Sequence, residues 1–116
     1  MSHLDLGRQG EDLAAGYLKR KGYRILARNY KLPQGEIDII ARDRAVLVFV
    51  EVKTRRSGHY AEPIVAVDWR KQRKLRYLAE RYIGLNHLPD SEVRFDVVSV
   101  IGGSGPPHLE HIENAF

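Results

Sequence analysis

Hydrophobic and polar positions along the chain change period several times, and each change marks an element. From Leu4 to Lys21, the positions Leu6, Gly10, Leu13, Ala14, Tyr17 and Leu18 recur at helical spacing, and Gly22 stands where a helix end takes a left-handed residue. Tyr23 to Tyr30 reads as a first strand, and Lys31 to Gly35 is turn chemistry punctuated by Pro33 and Gly35. Glu36 to Arg42 and Val46 to Lys53 are two more strands joined by a hairpin, so residues 23–53 form an antiparallel meander. Val46 to Val50 is apolar on both alternating faces, the mark of a central strand covered by helices on both sides. Arg55 to Tyr60 reads as a polar, mobile loop. Asp68 caps a second helix whose buried stripe is Leu75, Leu78, Ala79, Tyr82 and Ile83. Asn86 to Asp90, with Pro89, ends it. Val93 to Ile101 is a fourth strand, 102–107 a flexible break, and His108 to Phe116 adds a short strand at an edge. Helix, three strands, helix, strand is an α/β order, one domain over residues 1–116 with a helix on each sheet face.

With 116 residues the chain suffices for one domain with its own core. There is no cysteine, which excludes disulfides and thiolate metal sites and makes a reducing cytoplasm the expected compartment. No apolar stretch approaches a membrane span, and the N-terminal residues lack the apolar segment of a signal peptide. Net charge is +4, but it is unevenly spread. Residues 53–76 carry eight Lys/Arg against two acids, whereas residues 77–116 carry two against six. A basic middle beside acid-bearing strands suits a polyanionic substrate brought to a metal.

The candidate chemistry lies inside the meander. Asp38 sits among isoleucines, and Glu51 and Lys53 interrupt the most apolar run of the chain. Charges are rarely placed in buried strands unless they are paired, coordinate a metal or do chemistry. Regular alternation puts Glu51 and Lys53 on one face, and Glu36, Asp38 and Ile40 on one face of the preceding strand. A hairpin loop of even length then sets Asp38 across from Glu51 and Glu36 across from Lys53; a three-residue loop turns Asp38 away. Two adjacent carboxylates are unfavourable unless one is protonated or a cation lies between them. A hard divalent ion such as Mg²⁺ or Mn²⁺ meets that need with oxygen ligands. The competing reading is an ion-pair cluster bracing the hairpin, which desolvation makes a poor device for stability alone. For Glu36 the competitor is a cross-strand salt bridge to Lys53.

Asp38 followed by Glu51-Val52-Lys53 resembles the signature of the PD-(D/E)xK nuclease superfamily, with Ile37 where the name-giving proline would stand. More closely, residues 7–14, 35–41, 49–55, 94–98 and 112–116 resemble the small YraN-like bacterial family. The resemblance implies a restriction-endonuclease-like α/β fold with a central mixed sheet, and metal-dependent hydrolysis of phosphodiester bonds in DNA. It implies Asp38 and Glu51 as metal-binding acids, Lys53 as the catalytic lysine and Glu11 as a further metal ligand from the first helix. The analogy to junction resolvases adds branched DNA as a substrate and a two-fold homodimer as the assembly to test.

Arg70, Lys71, Arg73, Lys74 and Arg76 surround Trp69 and Tyr77, and Arg55, Arg56 and His59 follow the catalytic strand. Arg55, Arg56, Arg70, Lys71 and Lys74 are the candidates for phosphate contact, against the plainer reading of a solvated helix face. Lys71, four residues before Leu75, is placed to turn toward the site. The other histidines show no ligand spacing, and His108 and His111 read as non-catalytic. Two further readings stand beside the nuclease: a nucleic-acid-binding module without turnover, and a scaffold that docks other proteins.

Overall fold

A computed structural model describes residues 3–56, 67–103 and 105–116, the side chains of residues 3–6 aside. The elements are α1 (His3–Arg20), β1 (Arg24–Leu32), β2 (Gly35–Asp43), β3 (Val46–Arg56), α2 (Trp69–Leu85), β4 (Val93–Gly102) and β5 (His108–Ile112). They build a five-stranded mixed sheet in the order β1-β2-β3-β4-β5. The β3–β4 pair is parallel, with α2 in the connection, and the other three pairs are antiparallel.

Local chemistry ends each helix where the sequence directs. Gly22 adopts φ 97, its N–H bonds Lys19 O at 2.9 Å, and Tyr23 N–H reaches Leu18 O at 2.9 Å. These two bonds satisfy carbonyls that the helix leaves open, and a side chain at Gly22 would strain the left-handed turn. Asp68 opens α2: its carboxylate accepts the backbone N–H of Arg70 at 2.8 Å and of Lys71 at 3.2 Å.

Two cores sandwich the sheet. On one face Ala14, Ala15 and Leu18 of α1 pack on Ile39, Ala41, Val48, Val50, Val98 and Val100. On the other, Leu75, Leu78, Ala79 and Tyr82 of α2 pack on Ile37, Ile40, Leu47, Phe49 and Phe95. Val48 and Val50 thus serve one core while Leu47 and Phe49 serve the other, as a central strand buried on both faces requires. Leu13 sits at the rim of α1's stripe, 36% exposed. Among the described residues, no helix is long and apolar enough to cross a membrane.

The last strand is held by a polar network at the sheet end where β4 begins. Asp96 is fully buried and accepts from Arg94 Nε and Nη2 (2.9 Å each) and from the Asn114 backbone N–H (3.0 Å). The ring Nε2 of His111 lies 2.8 Å from its Oδ2, and Lys21 Nζ approaches the other ring nitrogen at 2.9 Å. That pattern is met by a neutral imidazole that donates to Asp96 and accepts from the lysine. Phe116 stacks on Phe95 with ring centroids 5.2 Å apart, and Ala115 N–H donates to Phe95 O at 2.7 Å. His111 is therefore a core histidine with a structural partner.

Arg55 and Arg56 do not belong to a loop: β3 carries on through them, in register with Ile101 and Gly102 of β4. The extension is stabilised by a parallel partner some 45 residues away, which local sequence does not reveal. The rest of that polar segment, with His59, lies outside the described residues.

Candidate metal centre

The site forms where the β2–β3 hairpin stops pairing. The hairpin closes through Arg44 and Ala45, a two-residue loop with Arg44 at φ 57, and backbone pairing runs from Asp43/Val46 to Ile39/Val50. Asp38 and Glu51 occupy the next opposed positions in that register. There the ladder gives way to a side chain: Asp38 Oδ2 accepts the backbone N–H of Val52 at 2.8 Å.

The face alternation assumed for β2 fails at this point. Ile37 and Ile39 would share a face in a regular strand, yet they belong to opposite cores. Across the β1–β2 pair, Asn29 lies opposite Asp38 and adopts φ 51, a left-handed conformation inside a strand. Such a residue turns the chain, and asparagine tolerates it better than most side chains do. Asp38 therefore stays with Glu36 and parts from Ile40, which faces the α2 core; it sits at the twist, sensing Glu11 from α1 and Lys71 from α2 alike.

Helix α1 comes close to the sheet here because of Gly10. A Cβ at that position would overlap Thr54 Cγ2 and lie 3.3 Å from Thr54 Cβ. The following residue, Glu11, is thereby set beside β2. Among the described residues, Glu11, Glu36 and Asp38 each offer a carboxylate oxygen within 4.8 Å of the others. Glu36, which the general superfamily pattern does not require, is thus drawn into the cluster. Glu51 is turned instead toward α2, where Lys71 Nζ lies 3.6 Å from its Oε1.

The electrostatics are those of crowded, partly dry anions. Burial, and then the charge of Glu51, push the Asp38 carboxyl from 3.8 up to about 7. Burial also raises Glu51, against the lowering effects of Lys71 and Lys53. A divalent cation removes this conflict, since it neutralises the charge that burial penalises. Carboxylate oxygens from α1 and β2 form the hard donor set that Mg²⁺ or Mn²⁺ takes, with Glu51 of β3 adjoining. On that chemistry, the residues fit such an ion.

Beside the acids lies an open cleft of about 740 Å³, lined by Gly7, Arg8, Glu11, Asp12, Arg28, Asn29, Lys31 and Glu36. Arg8, Arg28 and Lys31 give it a cationic rim that the sequence reading did not single out; no strand or helix pattern ties these three together. Arg28 is engaged with Asp12 at 2.6 Å. Lys53 is two residues past Glu51 on β3 and acts on its charge. Of the other candidate phosphate contacts, Arg55 and Arg56 end β3, while Arg70 and Lys71 are in the first turn of α2. Lys74 passes over the β1–β2 turn, where a Cβ on Gly35 would lie 2.8 Å from its Cε.

Comparison with known proteins places the whole chain in one group. A family model described as "Uncharacterised protein family UPF0102" matches residues 10–100. The chain is 49% identical to a UPF0102 protein of Geobacter metallireducens over 116 residues, covering 100% of this chain and 95% of that one. It is 48% identical to a UPF0102 protein of Rhodococcus opacus over 118 residues, covering both in full. A UPF0102 protein of Thermodesulfovibrio yellowstonii shares 45% over 116 residues, 100% of this chain and 99% of its own.

Proposed function

For a chain that belongs to the uncharacterised protein family UPF0102, we propose a metal-dependent nuclease with a restriction-endonuclease-like fold that hydrolyses phosphodiester bonds in DNA. One observation carries the reading: a half-buried Asp38, pushed up to about 7, opposes Glu51 across the β2–β3 hairpin and clusters with Glu11 and Glu36. A fold seeking only stability gains nothing from such an arrangement.

Asp38, Glu11 and Glu36 would hold the ion, with Glu51 beside them. When bound, a divalent cation supplies Lewis acidity and lowers the pKa of a coordinated water. The chain's own groups do the rest. Lys53 sets an ammonium on the strand that carries Glu51, where it orients the attacking water and offsets charge developing on a phosphoryl oxygen. Lys71 faces Glu51 across 3.6 Å and, with Arg55, Arg56, Arg70 and Lys74, draws the phosphate backbone toward the acids. Val52 N–H fixes the Asp38 carboxylate from below, so the acid enters the site already oriented.

The test is incubation of the purified protein with single-stranded, duplex and branched DNA in the presence of Mg²⁺ or Mn²⁺. Cleavage is expected with metal, and it falls at least about 100-fold in Asp38→Ala and Lys53→Ala. Cleavage that survives in both variants removes the assignment.

A further inference from the structure

The outward side of α2 presents an arrangement that neither core nor acidic cluster uses. Trp69, the chain's single tryptophan, opens the helix and is 58% exposed. Arg70 and Arg73 place their guanidinium carbons 5.3 and 5.6 Å from its ring centroid. Tyr77, two turns further on, is 42% exposed. Trp69, Arg73 and Tyr77 follow i, i+4, i+8 spacing, opposite the buried stripe of Leu75, Leu78, Ala79 and Tyr82.

Two local rules are broken together here. Beyond the cap Asp68, the first turn of α2 holds no acid and two bases, Arg70 and Lys71, at the end where the helix dipole favours negative charge. It also leaves a large indole in water. Such joint departures from local preference are expected where a site demands them. A partner that resolves both must offer dense negative charge and flat aromatic faces. An anionic membrane supplies the charge, but it calls for a continuous apolar helix face. The apolar face of α2 is already spent on the core, and its outward side sets two rings among cations.

We propose that Trp69, flanked by Arg70 and Arg73 and continued by Tyr77, is a stacking platform for unpaired bases of a single-stranded DNA segment. Bases of any identity stack on such rings while the arginines meet the phosphates. Helix geometry separates the two rings by about 12 Å along the axis, room for a few nucleotides. Lys71, from the same helical turn, reaches Glu51, so the platform lies at the end of α2 that adjoins the acids. The proposal deepens the nuclease reading, on which it rests for nucleic acid being the substrate: it selects DNA with a frayed, gapped or branched single-stranded part.

The single tryptophan makes its own probe. The full chain in EDTA, where no metal can support cleavage, is titrated at low salt with a 12-nucleotide oligothymidine and with an abasic strand of equal length. Emission is quenched by the oligothymidine, which binds about tenfold or more tighter than the abasic strand. Followed by the anisotropy of dye-labelled strands, since the variants carry no tryptophan, Trp69→Ala loses about tenfold in affinity for oligothymidine and none for the abasic strand, while Trp69→Phe keeps most of it. Equal binding of the two strands overturns the platform, as does an unchanged Trp69→Ala, or emission that responds to vesicles of anionic phospholipid and not to the oligonucleotide. A protein that stacks bases in EDTA yet never cuts after metal is added sinks the hydrolase and spares the platform. One that cuts with Trp69→Ala affinity unchanged does the reverse.

Discussion

The carboxylate of Asp38 accepts the backbone N–H of Val52 at 2.8 Å, one step beyond the last backbone pair of the β2–β3 hairpin. The bond holds an anion in a place where burial and Glu51 both oppose its charge. The folded protein therefore carries a carboxyl with a raised pKa, and its stability is linked to pH with a definite sign. Between the ordinary value of 3.8 and about 7, the folded state binds more protons than the unfolded state. In the absence of metal, that contribution is present at low pH and is lost as pH rises toward 7. Asp38→Asn removes the titration and keeps an oxygen for Val52. Urea melts in EDTA are expected to show Asp38→Asn more stable than the parent at pH 8, by about 1.4 kcal/mol per unit of the raised pKa at most. At pH 5 the advantage shrinks. An equal difference at both pH values contradicts the assignment.

The opposite sign is expected at Asp96, on the neighbouring strand β4. Burial pushes the Asp96 carboxyl up, but hydrogen bonds from His111, Arg94 and the Asn114 N–H outweigh it and hold the group below the usual range. Its stabilising effect is present above about pH 4 and lost as pH falls through the lowered folded value. Asp96→Ala leaves Arg94 and His111 without their shared anion and should cost about 3–5 kcal/mol. Denaturant unfolding at pH 7 checks this. A loss under 1 kcal/mol would mean that the tail is held by Phe116 and its ring contacts alone.

Gly10 is the contact that lets α1 approach β3. Gly10→Ala drives a methyl into Thr54 Cγ2 and should destabilise by about 1–3 kcal/mol. Thr54→Ser removes the opposing methyl, so the double variant Gly10→Ala/Thr54→Ser should recover most of the loss. A coupling energy near zero in that cycle would show that the helix shifts freely.

Lys71 faces Glu51 across 3.6 Å, with the lysine half exposed and the carboxylate largely covered. A cation entering the site meets that ammonium as a like charge. Lys71→Ala is expected to tighten Mn²⁺ binding measured by calorimetry without DNA, by a factor of about two to five, the range of a partly exposed ion pair. The same change should weaken affinity for single-stranded DNA and flatten its salt dependence. Weaker Mn²⁺ binding would instead mean that Lys71 organises the ligands.

Much of the fold was legible because local signals agreed with one another. Gly22, Asp68 and the two-sided apolar run at Val46 to Val50 fixed both helix boundaries and the central strand. The even hairpin loop needed to oppose Asp38 and Glu51 is the one found. What the sequence hid depends on contacts distant along the chain. Tyr23 to Tyr30 looks like a regular strand, and nothing in it announces that Asn29 turns left-handed opposite Asp38. Glu36 and Asp38 keep the shared side that alternation gives them, but Glu11 meets them through the close approach of α1 at Gly10, and Glu51 is drawn from that group toward Lys71, on a helix 20 residues on. His111 carries no motif; its burial against Asp96 follows from a strand that pairs only at the end of the chain.

Diffraction from crystals soaked in Mn²⁺, collected at a wavelength where manganese scatters anomalously, decides whether these acids hold a metal. One strong peak is expected within coordination distance of Asp38 and at least one of Glu11, Glu36 and Glu51, absent in Asp38→Asn crystals. Millimolar Mn²⁺ that leaves those carboxylates without a peak, or a peak unchanged by Asp38→Asn, would contradict that expectation.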